Sequence, residues 1–423
     1  MANRRTGRGA SGDRPRRAAA LIEPQSATDA ALTAVFREEA GRLTAALVRA
    51  LGDFDLAEEL VQEALLEAVE HWPADGIPQK PGAWLLTTAR RKAADQFRRR
   101  ARYREKLAQL EGEAMGVDTV EGDDRLRLIF TCCHPALSRE AQVALTLRAV
   151  AGLTTAEIAR AFITSEATIA QRIVRAKRKI VEANIPYRVP AEREMADRLD
   201  EVLAVLYLMF NEGYLATAGA RASRRDLAED AAWLAGLMVR LMPHEPEVLG
   251  LLALMRLHLA RAESRFDEAG GLMLLQDQDR ARWDRERIAS GISLLQRAAG
   301  LRRPGPYQLQ AAIAACHAGA ASWAQTDWQQ IIALYDALLA LTPSPVAQLN
   351  RAIARRYLDG AQAALDDVEA LADALDNYYL FHATRAELLR DLGRDSEARL
   401  AVSRALSLTA NPAERALLQK RLA

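Results

Sequence analysis

Residues 153–180 read LTTAEIARAFITSEATIAQRIVRAKRKI, two short apolar-periodic runs separated by a polar break and ending in a dense run of cations. Thr154 or Thr155 can cap a first helix whose Ile158, Ala159 and Phe162 fall at i, i+1 and i+4, and this run ends near Ile163. Ser165 stands where it can cap a second helix. The spacing predicts that this helix buries Ile169, Ile173, Val174 and Ile180, and turns Thr168, Gln171, Arg172, Arg175, Lys177, Arg178 and Lys179 to solvent. Amides, hydroxyls and guanidinium forks are the groups that read base edges and grip phosphate, so the pattern is a helix-turn-helix whose second helix fits the DNA major groove.

The rest of the chain agrees with a helical protein. Of 423 residues half are hydrophobic and only 5% aromatic, Ala and Leu dominate, and alternating Val/Ile/Thr runs are almost absent. That composition predicts an all-α fold, and the length predicts two or three domains. No apolar run is long enough to cross a bilayer, and the Arg-rich start leads into AAALIEP rather than a long apolar core and cleavage site, so a cytoplasmic location is expected. Three cysteines, two of them adjacent, make no disulfide framework. The net charge of +1 conceals an asymmetry: residues 1–190 hold 30 Lys/Arg against 25 Asp/Glu, and the remainder 27 against 31. The cations concentrate in the N-terminal tail, in residues 90–106 and in residues 172–179.

Breaks in periodicity divide the chain into five segments. Residues 1–26 are Arg/Gly/Ser/Ala-rich without periodicity and read as a disordered basic arm. Residues 27–104 carry three helical patterns, with Gly52 and Asp53 ending the first, Asp55 able to cap the second, and the Pro/Gly-rich PADGIPQKPG before the third. Residues 105–122 are irregular and acidic, a flexible linker. Residues 123–187 hold the helix-turn-helix and two supporting helices, and the prolines of IPYRVP mark the next boundary. Residues 188–423 read as successive antiparallel helices. Two stretches there, 327–343 and 393–412, resemble the second half of a tetratricopeptide repeat, and Gly360 precedes Gly393 by 33 residues, which suits that repeat.

The two small helical units together resemble the paired DNA-binding domains of bacterial RNA polymerase sigma factors of the extracytoplasmic-function group. The first carries the resemblance through LVRALGDFDLAEELVQEALLEAVEHWP and PGAWLLTTARRKAADQFRRR, the second through RLIFTCCHPALSREAQVALTLRAVAGLTTAEIARAF. The extension is similar to that of the subgroup with a C-terminal tetratricopeptide-like domain, through NEGYLAT, LLQDQDRARWD and YYLFHATRAELLRDLGR. The resemblance implies a region 2-like domain over 27–104, a region 4-like domain over 123–187 and a regulatory helical domain over 188–423. It makes core RNA polymerase and promoter DNA, duplex and melted, the expected partners, with a regulatory protein or ligand at the extension and no membrane.

Residue by residue, it implies that Asp55, Glu58, Glu59, Gln62 and Glu63 dock the polymerase. Arg90, Arg91, Lys92 and Arg98 would hold the opened minus-ten strand, with Trp72 and the loop around Ile77 as candidate base contacts and Trp84 in the core. Many relatives carry Arg-Asn where this chain has Arg90-Arg91, so the base-specific role of that Asn does not transfer. Glu166, Thr168, Gln171, Arg172 and Arg175 would contact the minus-thirty-five duplex in the groove, and Arg178 and Lys179 its phosphates. Asp277, Asp279, Arg282 and Trp283, in a charged insertion, are candidates for a regulatory groove.

Other chemistry finds no support. Cys132, Cys133, His134 and the Cys316-His317 pair lack metal-binding spacing, and no Walker loop, G-x-S-x-G or H-E-x-x-H occurs, so no enzymatic activity, metal or cofactor is expected. Two alternatives stand beside the sigma-factor reading: a helix-turn-helix regulator with a repeat-type sensor, and a non-enzymatic protein-binding scaffold.

Overall fold

The computed structural model describes residues 27–99, 124–162, 164–214, 221–267, 271–409 and 411–420. The arm 1–26 and the linker 105–122 lie outside the described residues, as does the side chain of Arg98. Among the described residues the regular structure is helical, with one isolated antiparallel bridge between Phe266 and Leu272. No helix among them is long and apolar enough to cross a membrane. The chain divides into two compact units, residues 1–119 and 120–423.

The first unit is a bundle of α1 (Ala27–Leu51), α2 (Phe54–Asp75) and α3 (Pro81–Arg99). Gly52, at φ +66°, ends α1 in the left-handed conformation that glycine adopts without Cβ strain. The cap of α2 is Asp53, not Asp55. Asp53 is extended at φ −134°, so its Oδ1 accepts from the amides of Asp55 at 3.0 Å and Leu56 at 3.1 Å, while Asp55 sits in the first turn. Leu60, Ala64, Ala68 and Trp72 of α2 face Leu85, Ala89 and Ala93 of α3, all buried. The alanines let the two helices approach closely, and Trp72 packs its ring against Phe36 and Trp84.

The second unit begins with α4 (Asp124–Cys132), α5 (Arg139–Ala149), α6 (Thr155–Ala161) and α7 (Glu166–Glu182). α5 is buried along nearly its whole length, Gln142 and Thr146 included. Gln142 Nε2 answers its burial by donating to the carbonyls of His134 at 2.9 Å and Cys133 at 3.3 Å, which fastens the end of α4 to α5. The extension starts with α8 (Glu192–Tyr214), α9 (Arg221–Leu241) and α10 (Pro246–Leu259). Across the expected boundary at residue 187, α8 packs back on α4 and α5, and α9 on α6, so helix-turn-helix and extension share one compact unit. Prolines 186 and 190 turn the chain without separating the parts.

α10 is the apolar axis of the extension, packed by α9, α11 (Arg285–Gly300) and α12 (Pro306–Gly319). A Cβ at Gly250 would lie 2.7 Å from the backbone nitrogen of Gln308, so only glycine permits this α10–α12 approach. The N-terminus of α12 has no cap of its own and borrows one across that contact. Glu247 accepts from the amides of Tyr307 at 2.8 Å and Gln308 at 3.1 Å.

Beyond α12 the helices run α13 (Trp328–Leu341), α14 (Pro345–Glu369, broken at Gly360), α15 (Ala372–Leu375), α16 (Tyr379–Asp391), α17 (Asp395–Leu408) and α18 (Pro412–Lys420). Gly360 and Gly393 both have positive φ, 85° and 71°, and each starts a helix whose fifth and eighth following residues are buried: Leu365 and Val368, then Ala398 and Ala401. The 33-residue spacing thus marks the same turn used twice.

Candidate nucleic-acid interface

α6 and α7 form the helix-turn-helix. Thr154 and Glu157 close α6 reciprocally: Thr154 Oγ1 accepts from the Glu157 amide at 3.2 Å, and Glu157 Oε2 accepts from the Thr154 amide at 2.7 Å. Ser165 caps α7, its Oγ accepting from the Thr168 amide at 3.1 Å. α7 buries Ile169, Ile173, Ala176 and Ile180. Val174 does not join them and is 63% exposed, because in a helix it lies about 100° round from Ile173 and Ala176 occupies the inward position instead.

Opposite that stripe, Gln171, Arg175, Arg178 and Lys179 are exposed with Ala167 and Val174 among them, and Glu166 is exposed at the first turn. Thr168 and Arg172 are half-buried on the flank, Arg172 close enough to help hold the Glu140 carboxyl below its usual range after a backbone amide and Ser138. Gln171, Arg175 and Arg178 therefore point most directly away from the core. Arg178 pairs with Glu182 at 3.1 Å, an exposed pair worth about 0–1 kcal/mol that a phosphate can replace.

In the first unit the acidic and basic helices hold one another. Lys92 Nζ lies 2.9 Å from Glu67 Oε2, and Arg91 reaches the other oxygen of the same carboxylate. The Lys92 hydrogen bond holds the Glu67 carboxyl below the usual carboxylate range, and Lys92 is raised in turn. Gln96 Nε2 donates to Glu59 Oε1 at 3.3 Å. Arg91 stays exposed, while Arg90 and Lys92 are half-buried. On α2, Asp55, Glu59 and Gln62 are exposed and Glu58 and Glu63 half-buried. Trp72 is no base contact: it is 3% exposed, with Phe36 at 5.5 Å and Trp84 edge-on at 5.4 Å. The residue that the loop presents is Ile77, 39% exposed, just beyond Gly76 at φ +83°.

Two family models match these units: sigma-70 region 2 over residues 35–103 and sigma-70 region 4 over 127–180. The extracytoplasmic-function (ECF) RNA polymerase sigma factor SigK of Mycobacterium ulcerans is 30% identical over 143 residues, 31% of this chain and 74% of that protein. The chain belongs to the ECF RNA polymerase sigma factors. SigL of Mycobacterium tuberculosis, of the same name class, is 30% identical to this sigma factor over 159 residues, 36% of this chain and 89% of that protein. An uncharacterized protein of Rhizobium meliloti is 45% identical over 387 residues, covering 89% of this chain and 92% of its own length, so its likeness continues through the extension. Residues 198–299 match a family of unknown function, DUF6596. No solved structure matches the chain.

In this sigma factor the charged insertion is a wall of the extension. Trp283 is 3% exposed and lies on the inner side of the insertion, among the residues that line a cavity of the extension. Asp279 caps its own short turn, accepting from the Ala281 amide at 2.9 Å, and Asp277, Asp279 and Arg282 are all exposed. Three residues missed in the sequence do the fastening. Arg280 donates to the carbonyls of His317 and Ala320 and lies over the Trp283 ring at 4.8 Å; Gln278 Nε2 donates to Met273 at 3.2 Å; Asp284 caps α11. Leu66, 51% exposed, was also missed and lies in the same α2 stripe as Glu59, Gln62 and Glu63. An isolated Leu carries no signal until its neighbours' burial is known. Cys132 and Cys133 are buried, and burial pushes the Cys133 thiol up to about 11.

Proposed function

We propose that this chain binds core RNA polymerase, directs it to a two-part promoter, and is regulated by its own extension. The observation that carries the reading is the capped helix α7, whose Gln171, Arg175 and Arg178 are exposed while the supporting helices of the same unit are packed by the extension. In this reading α7 reads the duplex minus-thirty-five element, and Arg90, Arg91, Lys92 and the loop at Ile77 hold the opened minus-ten strand. The α2 stripe of Glu59, Gln62, Glu63 and Leu66 docks the polymerase, with polar contacts along it and one exposed apolar side chain at its end.

Run-off transcription with purified core polymerase separates initiation from simple DNA binding. Glu59→Lys combined with Leu66→Ala is expected to weaken core-polymerase binding at least about tenfold while leaving the fold intact, since both side chains already face water. Unchanged pull-down of core polymerase by the folded double variant sinks the docking assignment. A protein that binds duplex promoter DNA but never supports run-off belongs to the alternative class of helix-turn-helix regulators.

The regulatory part rests on the bonds between α8 and the helix-turn-helix unit. Arg139 pairs with Glu201 at 3.0 Å, and Arg198 Nη2 donates to the Phe130 carbonyl at 2.5 Å. Because α7 keeps its outward face exposed with these bonds made, the extension supports the DNA-reading helix rather than masking it. Arg139→Ala with Arg198→Ala is therefore expected to lower run-off several-fold and to speed proteolysis between residues 183 and 191. Wild-type transcription together with faster proteolysis removes the extension from the regulation.

A further inference from the structure

The extension forms a half-open cavity of about 480 Å3 between α8, α10, α12, α13 and the start of α14, walled on one side by the insertion through Leu275 and Trp283. That volume is in the range of small-molecule sites. Its apolar lining comes from Leu254, Leu257, Ile313 and Leu338, and Tyr207 and Tyr335 add flat aromatic surface. The polar groups are few: Arg261, His258, His317, Gln310 and Asn350 are among them, and the lining includes no Asp or Glu.

Charge around the cavity is unbalanced. Arg261 donates to His258 Nδ1 at 3.3 Å, and Arg265 and Arg280 donate to backbone carbonyls. None of the three guanidiniums pairs with a carboxylate among the described residues. Burial and then these arginines hold both histidines in the neutral form: His317 is pushed down to about 4 and His258 well below its ordinary value. Two lining residues also keep buried polar atoms without a hydrogen-bond partner, the indole Nε1–H of Trp283 and Nδ1 of His317. A buried donor without an acceptor and a guanidinium without a counter-ion both cost free energy unless a ligand supplies the acceptor.

We propose that this cavity binds a small organic acid, a single carboxylate or similar anion on a flat apolar body, with Arg261 as its counter-ion. The rings of Tyr207 and Tyr335 and the leucines take the body, and the guanidinium fork matches a planar anion. The site stands on the cavity alone and does not depend on the transcriptional reading above.

The test uses the full-length protein and two dyes that share one body, the anion 8-anilinonaphthalene-1-sulfonate and its uncharged analogue N-phenyl-1-naphthylamine. The anion is expected to bind one saturable site with enhanced fluorescence, to be displaced by 2-naphthoate, and to bind at least tenfold tighter than the neutral dye. Arg261→Gln should erase that preference, whereas Arg303→Gln, in the loop between α11 and α12 and outside the cavity lining, should leave it intact. Ala314→Leu, which narrows the cavity without touching charge, should weaken both dyes, and melting curves of each variant report whether it folds. Equal affinity for the two dyes, an anion preference that survives Arg261→Gln, or binding that 2-naphthoate does not displace overturns the proposal.

Discussion

Run-off transcription by the Gln171→Ala, Arg175→Ala protein falls by about thirtyfold or more on a promoter carrying its upstream element, and hardly at all on one whose upstream element has been scrambled. The expectation follows from position. These side chains stand opposite the buried stripe of Ile169, Ile173, Ala176 and Ile180, so they project farthest toward a duplex lying along α7. A direct base contact discriminates by about 1–3 kcal/mol, and two lost contacts multiply. The fold is spared, because exposed helix positions away from caps change stability by about 0.5 kcal/mol or less. Arg178→Ala with Lys179→Ala should behave differently, weakening all duplexes alike and flattening the salt dependence by about one unit per lost phosphate contact. If the first pair lowers transcription equally with and without the upstream element, α7 is not the reading helix.

What the sequence revealed about this interface, and what it concealed, divides along a physical line. Ser165 was legible as a cap because a cap is local, whereas Thr154 and Thr155 stayed equivalent until Glu157 closed the box on Thr154. Asp53 was misread as the end of α1 because one residue can terminate one helix and cap the next, and backbone conformation decides which. The inward stripe of α7 was legible except at Val174, where hydrophobicity suggested burial that the smaller Ala176 took. Trp72 stood as a candidate base contact because no local pattern tells a core Trp from a stacking one; its burial against Phe36 and Trp84 depends on how three helices meet. The boundary at residue 187 falls between the two matched families, yet no local pattern reveals how the helices on its two sides pack together. Prolines signal that a chain turns, but whether α8 then packs back depends on Arg198 finding the Phe130 carbonyl 68 residues earlier. The repeat in the extension was legible through Gly360 and Gly393 because both positions demand positive φ.

Lowering the pH from 7.5 to 5 should destabilise the 120–423 unit by about 2 kcal/mol through His317 alone, rising to about 3 kcal/mol near pH 4. The ring is packed against Trp323 at 5.7 Å and Trp328 at 5.4 Å, and its pKa is pushed down to about 4 by burial first and then by Arg261 and Arg280. The sign follows from proton uptake. Above pH 6.5 the ring is neutral both folded and unfolded, so it contributes no pH dependence. Below 6.5 the unfolded chain takes up the proton and the folded one does not, so stability declines until the folded ring itself titrates near 4. His258, held well below its ordinary value by burial and by Arg261 and Arg265, acts in the same direction and steepens the decline. Ordinary carboxylates titrate mostly below this window, which assigns the decline between pH 6.5 and 5 to the imidazoles. His317→Phe keeps a flat ring between the two tryptophans and removes the titration. Thermal melts at a series of pH values should therefore show a smaller loss of Tm for His317→Phe than for the wild type, by about 2–4 °C for each kcal/mol no longer lost. Parallel pH profiles for the two proteins would mean that His317 protonates in the folded state as readily as in the unfolded chain, and that its cationic, desolvated surroundings exert no hold on it.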